Sequence, residues 1–183
     1  MVELFGGAIL MDIPATLTDV SQFREVPDHQ EVYASTTSDQ NLIVEILEPV
    51  VNEHDALTYH FDQVAEINDS SDTKVVSTEP IRVQEPLVTG SSVLVGCQRV
   101  AKFNEQKVAG NSVWVLMALL NITRFDADIL VTMNLPAEIN PLSSSFATAE
   151  DSGATEEVDL AKAKAEFVTM VGSLVIKNAG LFG

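Results

Sequence analysis

Residues 112–135 read Ser-Val-Trp-Val-Leu-Met-Ala-Leu-Leu-Asn-Ile-Thr-Arg-Phe-Asp-Ala-Asp-Ile-Leu-Val-Thr-Met-Asn-Leu, two apolar runs split by one short polar interruption. β-Branched and apolar residues recur through both runs, which marks Ser112–Thr123 and Ile129–Leu135 as strands. The connection Arg124–Asp128 is short enough for an antiparallel hairpin. Working outward, Val93–Lys102 supplies a strand before the pair. Leu42–Leu47, rich in Ile and Val, closes at Pro49; Glu31–Ser35 follows Pro27; Ala8–Ile13 ends at Pro14. That makes about six strands.

Two segments carry a helical period instead. In Glu53–Ile67, Leu57, Phe61 and Val64 recur at i, i+4 and i+7 and make one apolar face. In Glu156–Ile176, Leu160, Phe167, Val171 and Leu174 share a face, with Thr155 as cap and Glu156 and Glu157 favourable to the dipole of the first turn. Asp19-x-x-Gln22 reads as a capping box opening a very short helix before Pro27. Residues 137–155 hold Pro141, three consecutive serines and Gly153, and are expected to form a mobile surface loop. With no internal repeat and no composition break, the pattern predicts a single α+β domain over 1–183, a mainly antiparallel sheet sandwiched by helices.

Charge is distributed unevenly. The first 73 residues carry 15 carboxylates and one basic residue, Arg24, so they contribute −14 of a formal net charge of −17. Such a field repels nucleic acid and anionic lipid and attracts a basic protein surface; the plain alternative is that it serves solubility alone. The densest apolar run, Val113–Leu120, is far below the roughly 20 residues that cross a bilayer. No basic residue precedes the apolar run Ala8–Met11, so no secretion signal is read there. One cysteine, Cys97, excludes an intramolecular disulfide. A soluble intracellular protein, monomeric by default, is the expectation.

Enzyme signatures are sparse. No glycine-rich loop ends in Gly-Lys-Ser or Gly-Lys-Thr, and Gly6-Gly7 is only a pair inside or beside a strand. His29, His54 and His60 lack metal-ligand spacing, and His54 and His60 fall on different faces of a helix. Cys97 sits in a strand pattern without a local partner. No cofactor and no metal are expected. One constellation stands out between Asp19 and Glu48, where Asp19, Arg24, Glu25, Asp28, Glu31, Asp39, Glu45 and Glu48 interleave with strand-like runs. Each has a bland role available: Asp19 as an N-cap, Arg24 as counter-ion to Asp28 or Glu31. Glu45 should point to the sheet face opposite Val44 and Ile46, with Glu48 on the other face unless the strand ends there.

The same residues carry a resemblance. Leu4-Phe5-Gly6-Gly7-Ala8-Ile9, the long block Asp19-Val20-Ser21-Gln22-Phe23-Arg24-Glu25-Val26-Pro27-Asp28-His29-Gln30-Glu31-Val32-Tyr33, and Leu42-Ile43-Val44-Glu45-Ile46-Leu47-Glu48 resemble successive motifs of the Mog family of Ran guanine-nucleotide release factors. Tyr59-His60-Phe61, Leu119–Asp128 and the tail Leu181-Phe182 are similar to the family as well. Residues 70–89 and 137–155 match weakly. The resemblance implies a fold shared with the photosystem PsbP proteins, an antiparallel sheet sandwiched by helices. It implies binding of the small GTPase Ran in the nucleus, with some protein in the cytoplasm, promotion of nucleotide release and support of nuclear protein import, without hydrolysis. Carried onto matching positions, the Ran-binding residues would be Asp19, Arg24, Asp28, Glu31, Glu45 and Glu48. Two rivals stay open: an acidic binding module for another basic nuclear client, and a small hydrolase using an Asp/Glu pair in a pocket at the sheet mouth.

Overall fold

The structure, a computed structural model, describes residues 1–50, 55–70, 72–100, 110–138 and 158–183. In chain order the elements are β1 (Val2–Leu4), β2 (Ile9–Met11), β3 (Leu17–Asp19), β4 (Gln30–Ser35), β5 (Asn41–Leu47), α1 (Ala56–Ile67), β6 (Asp72–Pro80), β7 (Gly90–Val100), β8 (Asn111–Ile122), β9 (Ala127–Glu138), α2 (Leu160–Gly172) and β10 (Val175–Ile176). A seven-stranded antiparallel sheet runs β3-β4-β5-β9-β8-β7-β6, and β1-β2-β10 form a second, small sheet. This is the α+β arrangement expected, with the strands of β8 and β9 paired through Met117–Thr132 and Ala118–Val131 as the expected hairpin.

Side chains alternate across a strand, so every second residue of β8 and β9 belongs to one of two apolar layers. Leu116, Ala118, Leu120, Ile129 and Val131 pack with Phe167, Met170 and Val171 of α2 and with Leu4, Ile9 and Met11 of the small sheet. Val115, Met117, Leu119 and Leu130 face the other way and pack with Leu57 and Phe61 of α1. Burial on both faces explains why the sequence of β8 is nearly continuously apolar instead of alternating. Phe61 and Phe167 are the largest fully buried side chains, one in each layer, and each contributes about 1.5–3 kcal/mol by burial.

Both helices open on aspartate caps. Asp55 Oδ1 accepts from the Thr58 N–H at 3.1 Å, and Asp159 Oδ1 from the Lys162 N–H at 3.0 Å. The expected starts at Glu53 and at Thr155–Glu157 lie outside the described residues, as do His54, the end of the Val93–Lys102 strand and 139–155 of the expected loop. Ala137 and Glu138, the first residues of that loop, belong to β9.

Some limits differ from those read in the sequence, for tertiary reasons. The last helix stops at Gly172 instead of continuing to Ile176, because Val175 and Ile176 pair with Leu10 and Ile9 of β2. The expected strand Ala8–Ile13 is reduced to β2, since Phe5, Gly6 and Gly7 form a tight turn with φ of 50°, 64° and 87° that folds β1 back onto it. The glycine pair therefore serves backbone conformation. Edge strand β6 carries no strand signal in its sequence: its side chains are exposed almost throughout, leaving no apolar period. Among the described residues no helix is long and apolar enough to cross a membrane.

Close approach of α1 to the sheet makes a prediction. A Cβ at Gly96 of β7 would fall against the buried Phe61 ring and within 3.1 Å of the Lys74 carbonyl oxygen. Gly96→Ala should destabilise the fold by about 1–3 kcal/mol, read as a lower midpoint in urea denaturation; an unchanged midpoint would mean that Phe61 is free to move.

Candidate acidic site and adjoining groove

β3 and β5 both run antiparallel to β4. The last residues of β3 and β5 and the first of β4 consequently meet at one end of the sheet. Asp19 closes β3, Arg24 and Asp28 lie in the connection to β4, Glu31 follows at the start of β4, Glu45 is near the end of β5, and Glu48 stands just past it. The Ile46 N–H donates to the His29 carbonyl at 2.9 Å, which ties that connection to β5. Of the six residues carried over by resemblance, Asp28, Glu31, Glu45 and Glu48 gather at that end, Arg24 lies in the connection leading to it, and Asp19 stands opposite Tyr33, three residues in from Gln30.

They divide between the two faces of that edge. Glu45 lies opposite Gln30, on the α1 side; Glu31 lies opposite Val44, and Asp19 opposite Tyr33, on the α2 side. Glu31 accepts a hydrogen bond from the Phe5 N–H and so joins the turn of the small sheet to the large one. Asp19 accepts from the Ser21 N–H and hydroxyl, both at 2.8 Å, capping a single helical turn at Val20–Gln22. Both carboxylates act on Tyr33: burial foremost, then Glu31 and Asp19, pushes its hydroxyl up to about 12. Both acids are held by hydrogen bonds within the chain, Glu31 part-buried and Asp19 at the surface. Arg24, Asp28 and Glu48 are exposed.

Glu45 differs from all of them. It is half-buried, accepts from Gln30 Nε2 at 2.6 Å, and has its pKa raised by burial in spite of that bond and of nearby His29. It faces a groove of about 720 Å³ on the α1 side of the sheet. Val32, Ala34 and Ile43 contribute an apolar floor; Asn41, Gln98, Thr132 and Asn134 are polar; Val64 and Ile67 at the end of α1 form one wall. The groove lies where α1, packed over β7, β8 and β9, does not extend across β4 and β5, a face left uncovered by the described residues. The sequence carries one signal for it: Thr132 and Asn134 interrupt an apolar strand on one face only.

Elsewhere the chemistry is quieter. Asp128, 2% exposed, accepts from Asn121 Nδ2 at 2.8 Å, and burial raises its pKa while lowering that of His60 on α1. Burial also pushes the Cys97 thiol up, the opposite of what a nucleophile needs. No cluster of His, Cys, Asp or Glu that could hold a metal occurs among the described residues. Asp39 and Glu45 both line the groove, but at opposite ends of β5, whose rise from Asn41 to Glu45 alone is about 13 Å. Paired carboxylates of glycoside hydrolases stand about 5–9.5 Å apart, closer than this pair.

A family model described as "Ran-interacting Mog1 protein" matches residues 2–136, a span that contains the whole acidic edge and the groove. The chain belongs to the Mog1 family. It is 38% identical over 190 aligned residues to "Ran guanine nucleotide release factor" of Danio rerio, with 98% of each chain covered. To "Probable ran guanine nucleotide release factor" of Dictyostelium discoideum it is 34% identical, covering 98% of this chain and 94% of that one. "Nuclear import protein mog1" of Schizosaccharomyces pombe is 28% identical over the full length of both. The crystal structure of the Ran-binding protein Mog1p of Saccharomyces cerevisiae superposes with a TM-score of 0.71 at 23% identity, covering 100% of this chain and 97% of that one. The sandwich of sheet and helices is therefore the Mog1 fold.

Glu45 makes its own pH prediction. Because burial raises its pKa, the folded protein holds that proton to higher pH than the unfolded chain does. Its contribution to stability accordingly falls as the pH rises from the ordinary carboxylate range through the raised folded value. Glu45→Gln retains an acceptor for Gln30 and loses the titration. The variant should gain stability relative to the parent between about pH 4 and pH 7, measured by urea denaturation at both; a difference independent of pH would show that the carboxylate is well solvated.

Proposed function

We propose that this chain binds the small GTPase Ran and promotes release of guanine nucleotide from it, supporting nuclear protein import. The observation that carries this reading is the convergence of Asp28, Glu45 and Glu48, with Arg24, on one end of the β3-β4-β5 edge, in a chain whose family model is described as Ran-interacting. The family relatives named as Ran guanine nucleotide release factors match from end to end, which supports carrying the activity over. Among the six residues, the exposed Arg24, Asp28 and Glu48 are available to a partner as they stand. Asp19 and Glu31 shape the edge from behind through Ser21 and Phe5.

The mechanism needs no covalent step. Carboxylates on this edge engage basic side chains of Ran that otherwise hold phosphate or brace the loops around the nucleotide. Factor and nucleotide then favour different conformations of Ran, and linkage makes their antagonism mutual. A thousandfold faster release through a weakened nucleotide complex needs about 4 kcal/mol of differential binding. Two or three charge-assisted hydrogen bonds at about 1.5–3 kcal/mol each suffice when desolvated. The protein acts as one Mog1-like domain, as a monomer, in the nucleus and also in the cytoplasm, without nucleic acid or membrane as partner. A nuclear relationship is supported by the relatives named as nuclear import proteins.

Charge reversal tests this. Glu48→Lys should weaken binding to Ran by about 2 kcal/mol or more and slow release of a fluorescent nucleotide, with an unchanged thermal unfolding curve. Glu166→Lys, on the exposed side of α2, is the control and should leave both unchanged. Wild-type protein that binds a basic nuclear protein in pull-downs but never Ran would favour the other basic client; normal release by Glu48→Lys with loss in Glu166→Lys would move the site to the α2 side.

A further inference from the structure

We propose that Phe23 and Ile67 are the apolar anchors of the Ran interface, one on each wall of the groove, and that an apolar segment of Ran flanked by basic residues lies across the groove between them. This rests on the Ran reading above and adds to it a surface and two residues outside the acidic set.

Among the described residues, the two large apolar side chains most open to water are Ile67, 82% exposed, and Phe23, 79% exposed. Single exposed apolar groups are ordinary on a protein surface. These two are not scattered. Ile67 lines the groove with Val64 at the end of α1, and Phe23 belongs to the turn whose Val20 and Arg24 line it from the β3–β4 connection. In the sheet β3 lies beyond β4, while α1 lies over β7, β8 and β9. The two walls therefore stand on opposite sides of the β4–β5 floor. Val32, Ala34 and Ile43 make that floor apolar, so apolar groups run from wall to wall, as at a site of association.

Both anchors are carried on closed backbone. The Phe23 and Arg24 N–H groups donate to the Val20 carbonyl at 2.9 and 3.1 Å, closing the turn that Asp19 caps. Past Ile67, the Asn68, Asp69 and Ser70 N–H groups donate to the carbonyls of Val64, Glu66 and Ala65 at 3.0, 3.0 and 2.9 Å. A side chain presented from fixed backbone has less freedom to lose on binding.

Charge and size select the occupant. Asp39 and Glu45 outnumber Arg24 among the described residues lining the groove, and the whole chain carries a formal −17. A second copy would bring acid against acid. The acidic edge continues into the groove through Glu45 and Arg24, so a basic partner drawn to that edge meets the apolar patch beside it. At about 720 Å³ the groove exceeds one side chain. A floor two strands wide, about 10 Å, takes one segment of chain. Exposed carboxylates then set the approach and its salt dependence, and desolvated apolar anchors ringed by polar groups supply most of the affinity.

The experiment is a titration of fluorescently labelled Ran, nucleotide-free and loaded with GDP or GTP, against wild type, Phe23→Ser, Ile67→Ser and the double variant. Each is measured at about 0.1 and 0.5 M salt, with thermal unfolding and sedimentation of every protein. Val76→Ser, at a half-exposed site on β6 at the far edge of the sheet, is the control. Phe23→Ser should weaken binding about thirtyfold and Ile67→Ser about tenfold, by the same factor at both salt concentrations. The double variant should lose close to the product of the two, because the anchors stand a groove's width apart. Melting temperatures should be unchanged, since both side chains are already in water, and Val76→Ser should bind as wild type does. Wild-type affinity in both single variants, or an equal loss in Val76→Ser, would overturn the inference and leave the Ran reading standing. So would a loss of affinity that tracks a lowered melting temperature, which would make the two residues structural. Self-association of wild type that either variant abolishes, with Ran binding intact, would give the patch to a second copy instead. No binding of wild type to any form of Ran would overturn both readings.

Discussion

Burial of both faces of the β8–β9 ladder is the constraint on which the other features depend. Because the pleat sends alternate side chains to opposite sides, a hairpin that is apolar on both faces needs two separate covers. Phe167, Met170 and Val171 of α2, with the small sheet, supply one; Leu57 and Phe61 of α1 supply the other. The close contact of Phe61 with Gly96 then limits where α1 can lie. Held over β7, β8 and β9, the helix does not extend across β4 and β5, and the groove lies on that face. One alternation therefore puts Val44 in the core and its neighbour Glu45 in the cavity.

Acidic groups are placed on this scaffold at some expense to the fold. Glu45 and Asp128 are held above the usual carboxylate range by burial, and Tyr33 is pushed up by burial and by the charges of Glu31 and Asp19. Gln98 and Thr132 keep unsatisfied oxygens. In a chain otherwise well packed, such local conflicts gather where function asks for them. Of these groups Glu45 lies on the groove side of β4–β5, with Asp19, Glu31 and Tyr33 on the reverse face, while Thr132 and Gln98 line the groove from β9 and β7.

The acidic edge and the groove were not equally legible. Asp19, Arg24, Asp28, Glu31, Glu45 and Glu48 could be named in advance because they sit in contiguous, recognisable blocks, and antiparallel pairing of neighbouring strands brings such blocks to one end. Their division between faces could be foreseen for Glu45 alone, from strand alternation. That Glu31 would be bonded to the Phe5 backbone was invisible, since it joins two sheets across a long sequence interval. Gln98 comes from β7, and nothing local distinguishes it from an ordinary strand residue; that it lines the same groove as Thr132 of β9, with β8 between them, is set by the assembled sheet.

By itself the sequence determined the apolar ladder, the hairpin at Arg124–Asp128, the strand Leu42–Leu47, the amphipathic faces of α1 and α2, and the concentration of acid in the first 73 residues. All of these are local: period, turn chemistry and composition act within a few residues or simply add up. Tertiary structure alone decided that Val175–Ile176 would leave the helical pattern to pair with β2, that the exposed β6 would be a strand, and that α1 would stop short of β4. Those outcomes depend on which backbone donors and which apolar faces remain unpaired once the central ladder has formed, and that is a property of the assembled sheet, not of any stretch within it.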